Sequence, residues 1–96
     1  MLTLPTFRPH LQTRFRARPA PDQPPVDLTL TEANDLGSNE RQERFELLLQ
    51  GPLDAFLPQG IYPLEHEHLG ALDLFLVPVR KEAAGFLYQA VFNRLL

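Results

Sequence analysis

The run Ala71 to Val79, ALDLFLVPV, constrains this chain most, because it is apolar on both sides of an extended backbone. Leu72, Leu74 and Leu76 point one way along a strand, and Phe75, Val77 and Val79 point the other. A strand with two apolar faces is expected to be covered on both. Two shorter runs flank it, Ile61 to Glu67 and Phe86 to Asn93, and Gly60, Gly70 and Gly85 stand just before the three. The segment Leu57 to Asn93 therefore reads as three consecutive β-strands with tight connections, one near His68 to Gly70 and a loop over Arg80 to Gly85.

The first half of the chain supplies three more. Gln12 to Arg18 alternates Arg14, Arg16 and Arg18 with Phe15 and Ala17, the pattern of a half-exposed strand whose wet face is arginine. PAPDQPP, residues 19 to 25, holds four prolines in seven residues, and proline fixes φ and donates nothing to a ladder, so this is a stiff loop. Val26 to Asn34 has Val26, Leu28 and Leu30 on one face and Asp27, Thr29 and Thr31 on the other. Asn34 to Arg41 is turn chemistry. Gln42 to Gln50 puts Phe45, Leu47 and Leu49 on one side, with Leu48 turning apolar on the other.

Two connections carry apolar residues of their own. Leu2 to Leu11, interrupted by Pro5 and Pro9, reads as a short helical turn or extended arm that drops Phe7 and Leu11 onto the core. In Gly51 to Gly60, Leu53, Phe56 and Leu57 have the i, i+3, i+4 spacing of one helical turn, which would lie as a lid on an open barrel end. Leu95 and Leu96 are expected to pack. Six short, alternating strands make a single all-β domain over residues 1 to 96, a small six-stranded antiparallel barrel or roll with meander connections. The alternative is a two-sheet β-sandwich.

Composition removes whole classes of function. The 96 residues contain no cysteine, so disulfides, thiolate metal sites and cysteine nucleophiles are out, in keeping with a reducing cytoplasm. No apolar run approaches the ~18 residues that span a bilayer, and no secretory leader pattern opens the chain, so the expectation is a cytoplasmic protein away from membranes. Residues 1 to 20 hold four arginines and no acid, which leaves five basic and twelve acidic residues for the rest. The basic end invites nucleic acid, but the acidic body and the lack of a second basic or aromatic strand argue against it.

Chemistry-bearing motifs are few. Glu65-His66-Glu67-His68 is the only cluster with ligand character. If the strand continued through it, His66 and His68 would share a face about 6.5 to 7 Å apart and hold one metal, but a site needs three or four ligands and His10 is the only other histidine. The simpler reading is a polar strand end, with no cofactor. Glu65 and Glu67 would likewise share a face at a spacing glycoside hydrolysis uses, though the core is too small for a sugar cleft. Ser38, the only serine, lacks the GxSxG elbow, and no phosphate loop occurs. No catalytic residue is assigned, and the chain reads as non-enzymatic. Association with a protein partner or a second copy is expected, through a strand edge or the apolar faces a small barrel cannot cover. The alternative is a small-molecule site at a barrel mouth between the 51 to 60 lid and the 65 to 68 turn, with Tyr62, Glu65, His66 and His68 as polar contacts and Arg14, Arg16 and Arg18 as further partner contacts.

The segments FELLLQGP, LPQGIYPLEHEHLG, LDLFLVPV and YQAVFN together resemble an uncharacterised family of small bacterial proteins with an LPQGxYxLEHxxLGxLxLFLVPV and YxAVFN signature. This chain has Glu67 where the family pattern has proline after LEH, and Leu49 where it has a second aromatic. The resemblance implies a shared fold and a bacterial source, and no reaction. Relatives near tail-collar or tail-fibre-like proteins imply an accessory or assembly role.

Overall fold

The computed structural model describes residues 2–96. A short helix α1 (Leu4–Phe7) and a 3₁₀ turn (Arg8–His10) precede six strands: β1 (Arg14–Ala17), β2 (Val26–Asp35), β3 (Gln42–Gly51), β4 (Gly60–His66), β5 (Gly70–Glu82) and β6 (Gly85–Leu95). All pairings are antiparallel, and the sheet closes on itself in the order β1-β2-β3-β6-β5-β4. The expected meander holds within each half. Across the halves the order changes, because the 52–59 link carries β4 back beside β1 in a Greek-key arrangement.

One interior collects the inward residues of every strand, among them Phe15, Leu28, Leu30, Phe45, Leu47, Leu49, Leu64, Leu72, Leu74, Leu76 and Tyr88. The second apolar face of β5 is not covered, contrary to expectation: Phe75 is 49% exposed and Val79 47%. A closed ring has a single inside, so whichever apolar set faces outward has no layer to meet. The terminal Leu95 and Leu96 are also exposed, although Leu96 N–H donates to the Arg41 carbonyl at 2.8 Å.

β5 is longer than expected and changes neighbour along its length. Residues 70–76 pair with β4, whereas the ladder to β6 runs only from Val77 to Glu82. Pro78 has no N–H to give, and at this point Val79 is extruded as a bulge between Pro78↔Tyr88 and Arg80↔Leu87. The expected loop Arg80 to Gly85 shrinks to Ala83 and Ala84 between the paired Glu82 and Gly85. Upstream of Val77 and downstream of Gln89, β5 and β6 have no ladder with each other, so the ring parts along this seam.

The two ends of the ring are closed differently. At one end Phe7 is fully buried, 5.5 Å from Phe92, 6.1 Å from Phe45 and 6.4 Å from Phe15 between ring centroids. Leu4 is buried with it, but Leu11 stays outside. At the other end the 51 to 60 connection forms no helical turn, and Leu53 and Phe56 are exposed. Leu57 alone enters the core, where its N–H donates to the buried Tyr88 hydroxyl at 2.9 Å. Phe56 instead meets Phe86 edge-on at 5.0 Å.

Two substitutions test this arrangement. A Cβ at Gly85 (φ +158°) would overlap the Gly51 carbonyl oxygen, so Gly85→Ala is expected to cost about 3 kcal/mol in chemical denaturation. Tyr88→Phe strands the Leu57 N–H in the core, and a loss of about 1–3 kcal/mol is expected, against no loss if that amide reaches water.

Candidate functional site

β1 and β4 meet at the seam that closes the ring, with Arg16 opposite Glu65 and Ala17 opposite Leu64. This short pairing brings the arginine strand beside the Glu65 to His68 segment, two features far apart in the chain. Together they line a shallow, open groove of about 740 Å³ with Gln12, Thr13, Arg14, Arg16, Asp27, Thr29, Glu65, His66, Glu67 and His68 on its walls. Asp27 is the cross-strand partner of Arg16 and receives Arg14 at 3.5 Å and Arg16 at 3.2 Å. Arg18 reaches Glu65 at 3.5 Å. These pairs are exposed and are worth little in stability, but they leave the charges of the groove balanced against one another.

β4 ends at His66, and His68 lies in the turn that follows. The two histidines and the two glutamates therefore do not continue along one strand face. His66 turns inward, 6% exposed, with its ring 4.4 Å from Phe15. His10, from the 3₁₀ turn, lies 4.7 Å from His66 and 5.7 Å from His68, and the His66 and His68 rings are 6.0 Å apart. All three histidines of the chain converge at one end of the ring.

Their nitrogens do not converge. His66 Nδ1 accepts the backbone N–H groups of His68 and Leu69, both at 3.1 Å. An acceptor nitrogen carries no proton, so the neutral ring is protonated on Nε2. Nε2–H faces Thr13 Oγ1 at 2.8 Å, and that hydroxyl donates to the His10 carbonyl at 2.6 Å. Both His66 nitrogens are thus committed to protein partners. Among the described residues no group of three histidine, cysteine or acidic side chains is arranged to hold a metal ion.

The barrel-mouth arrangement fails for a different reason. Gly60 and His66 are opposite ends of β4, so the 51 to 60 connection and the histidine turn close opposite ends of the ring. Tyr62 belongs to the first end, where its hydroxyl donates to the Pro58 carbonyl at 2.5 Å, and burial pushes its pKa up. It takes no part in the groove. Thr13 and Asp27 line it, and His10 packs against its two histidines; the sequence alone assigns none of the three to such a site. Asp27 was legible on the wet face of its strand, whereas nothing local marks His10.

Burial holds the His66 pKa below the ordinary histidine value of 6.5, and charge on His10 and His68 lowers it further. A proton therefore binds the unfolded chain before the folded one as pH falls. Stability is whole above about 6.5 and declines as pH drops through the lowered folded value. Denaturation at pH 7.5 and 5.0 is expected to show this loss in the wild type. His66→Asn, whose amide oxygen can accept the same two turn N–H groups without titrating, is expected to lack that part of it.

No curated protein and no solved structure matches this chain. A family model does: the domain of unknown function DUF6916 matches residues 2–92, which cover nearly all of the ring and the segment that plugs it. By that match the chain belongs to the DUF6916 family.

Proposed function

We propose that this domain is a non-enzymatic protein–protein assembly module that pairs with a second copy through the outer face of β4, β5 and β6. The observation that carries the reading is the outer face of β5, where an apolar strip lies uncovered beside unpaired strand edges. Phe75 sits opposite Ile61 of β4, which is 71% exposed, and Val91 on β6 is 51% exposed. Contiguous exposed apolar surface of this kind marks association sites. Beside it, residues 70–76 of β5 and 90–95 of β6 lack a ladder to each other, which adds backbone donors and acceptors to the same region.

A second copy is favoured by the order of residues along β5. Asp73 stands at one end of the outer face, Phe75, Val77 and Val79 follow, and Arg80 stands at the other. Two such strands laid antiparallel about a two-fold axis near Val77 would bring Asp73 of each copy to Arg80 of the other, with the apolar centres in contact. A two-fold interface must be self-complementary, and this strip is. The side chains of the groove at the other seam serve structure: its arginines pair with Asp27 and Glu65, and His66 holds a turn. A small-molecule site finds less support, because the interior is filled by leucine and aromatic side chains and the named contacts lie at both ends of the ring. A cytoplasmic accessory role in a tail-like assembly, which the sequence resemblance implies, is one setting for such a module.

Light scattering after size exclusion tests it. The wild type is expected at dimer mass at high micromolar concentration. Ile61→Ser with Phe75→Ser should give monomer with little change in melting temperature, since both side chains are exposed. A wild type that stays monomeric at millimolar concentration would remove the reading.

A further inference from the structure

We propose that His66 is a proton-operated latch that fastens the N-terminal segment, residues 3–13, onto the end of the ring. The segment is a plug: Phe7 and Leu4 fill the interior at this end, and the chain returns to the sheet through Gln12, whose N–H donates to the Leu30 carbonyl at 2.7 Å. Gln12 holds φ +67°, a left-handed value that side chains other than glycine adopt sparingly, so the return is held under strain by its surroundings. One side chain ties this return to the β4–β5 turn. The His66 ring accepts two turn amides on one edge and donates on the other to Thr13, which in turn holds the His10 carbonyl.

A second proton has one place to go, Nδ1. There it replaces an acceptor by a donor directed at two other donors, the His68 and Leu69 N–H groups, so the turn and the ring cannot both keep their positions. The ring is also enclosed. His10 faces it from the 3₁₀ turn, His68 and Glu67 from the β4–β5 turn, and uncharged Phe15 and Thr13 from β1 and the residue before it. Arg14, Arg16, Asp27 and Glu65 line the groove beyond. Of these, Glu67 favours the added charge, while His10 and His68 oppose it. The cheapest relief is to swing the ring out, which breaks the link through Thr13 and frees the segment. The remaining ladders of β2, β3 and β6 do not pass through His66 and stay intact.

Amide hydrogen exchange, corrected for intrinsic rates, reads this directly. The protection factors of the Gln12, His68 and Leu69 amides are expected to fall together, by up to tenfold per pH unit below about 6.5, while amides of the β3–β6 ladder hold theirs. In His66→Asn the slope should vanish. If that variant fails to fold, Thr13→Val takes its place: it cuts the link but leaves the turn bonds, so the His68 and Leu69 amides should keep their pH dependence and Gln12 should lose it. Flat protection in the wild type from pH 7.5 to 5, an equal fall in ladder and segment amides, or an unchanged slope in His66→Asn would each overturn the latch.

Discussion

The structure depends on one packing constraint: six strands that close on themselves enclose a single volume, and that volume must be filled to native density. Alternate residues of every strand supply the filling, with Leu72, Leu74 and Leu76 from β5 and with Tyr88, Phe15 and Phe45 as the largest strand members. The ring alone does not seal that volume. Its two ends are closed by segments outside the sheet, by Phe7 with Leu4 at one and by Leu57 at the other. Phe45 and Phe92, opposite each other on β3 and β6, stack at 4.5 Å to form the floor on which Phe7 rests.

The same constraint explains the bare flank. Once the interior takes one face of β5, the other face of an apolar strand has nowhere to go, and Ile61, Phe75, Val79 and Val91 are left in solvent. Solvent-facing apolar surface of this extent is a liability in a monomer and an asset at an interface. The parting of β5 from β6 falls in the same region, so unpaired strand edges lie beside the exposed apolar side chains.

The histidine end combines closure with chemistry. His66 spends both nitrogens on structure, which fixes its tautomer and removes it from metal binding, and it does so while enclosed among aromatic and imidazole rings. A neutral buried imidazole used as a hydrogen-bond hub is stable only while it stays neutral. Structural roles and proton sensitivity are here the same property of one side chain.

Six strands were legible in the sequence because period-two alternation is a local signal, and strands such as Val26–Asp35 and Gln42–Gly51 carry it over ten residues. The sandwich alternative, the covered second face of β5 and the helical turn at 53–57 came from the same local patterns and could not be decided by them. Which neighbour a strand takes depends on contacts across the whole chain. Thus the return of β4 to β1, which sets Arg16 beside Glu65, and the approach of His10 to His66, carry no mark at either position. The order of residues by itself determined the fold class and, on strands with one apolar face such as β2, the inward set of side chains, since those follow from backbone geometry and the need to bury apolar surface. Tertiary structure alone decided which of the two apolar faces of β5 met water and which polar groups met each other, because closing the ring, rather than any local preference, sets those distances.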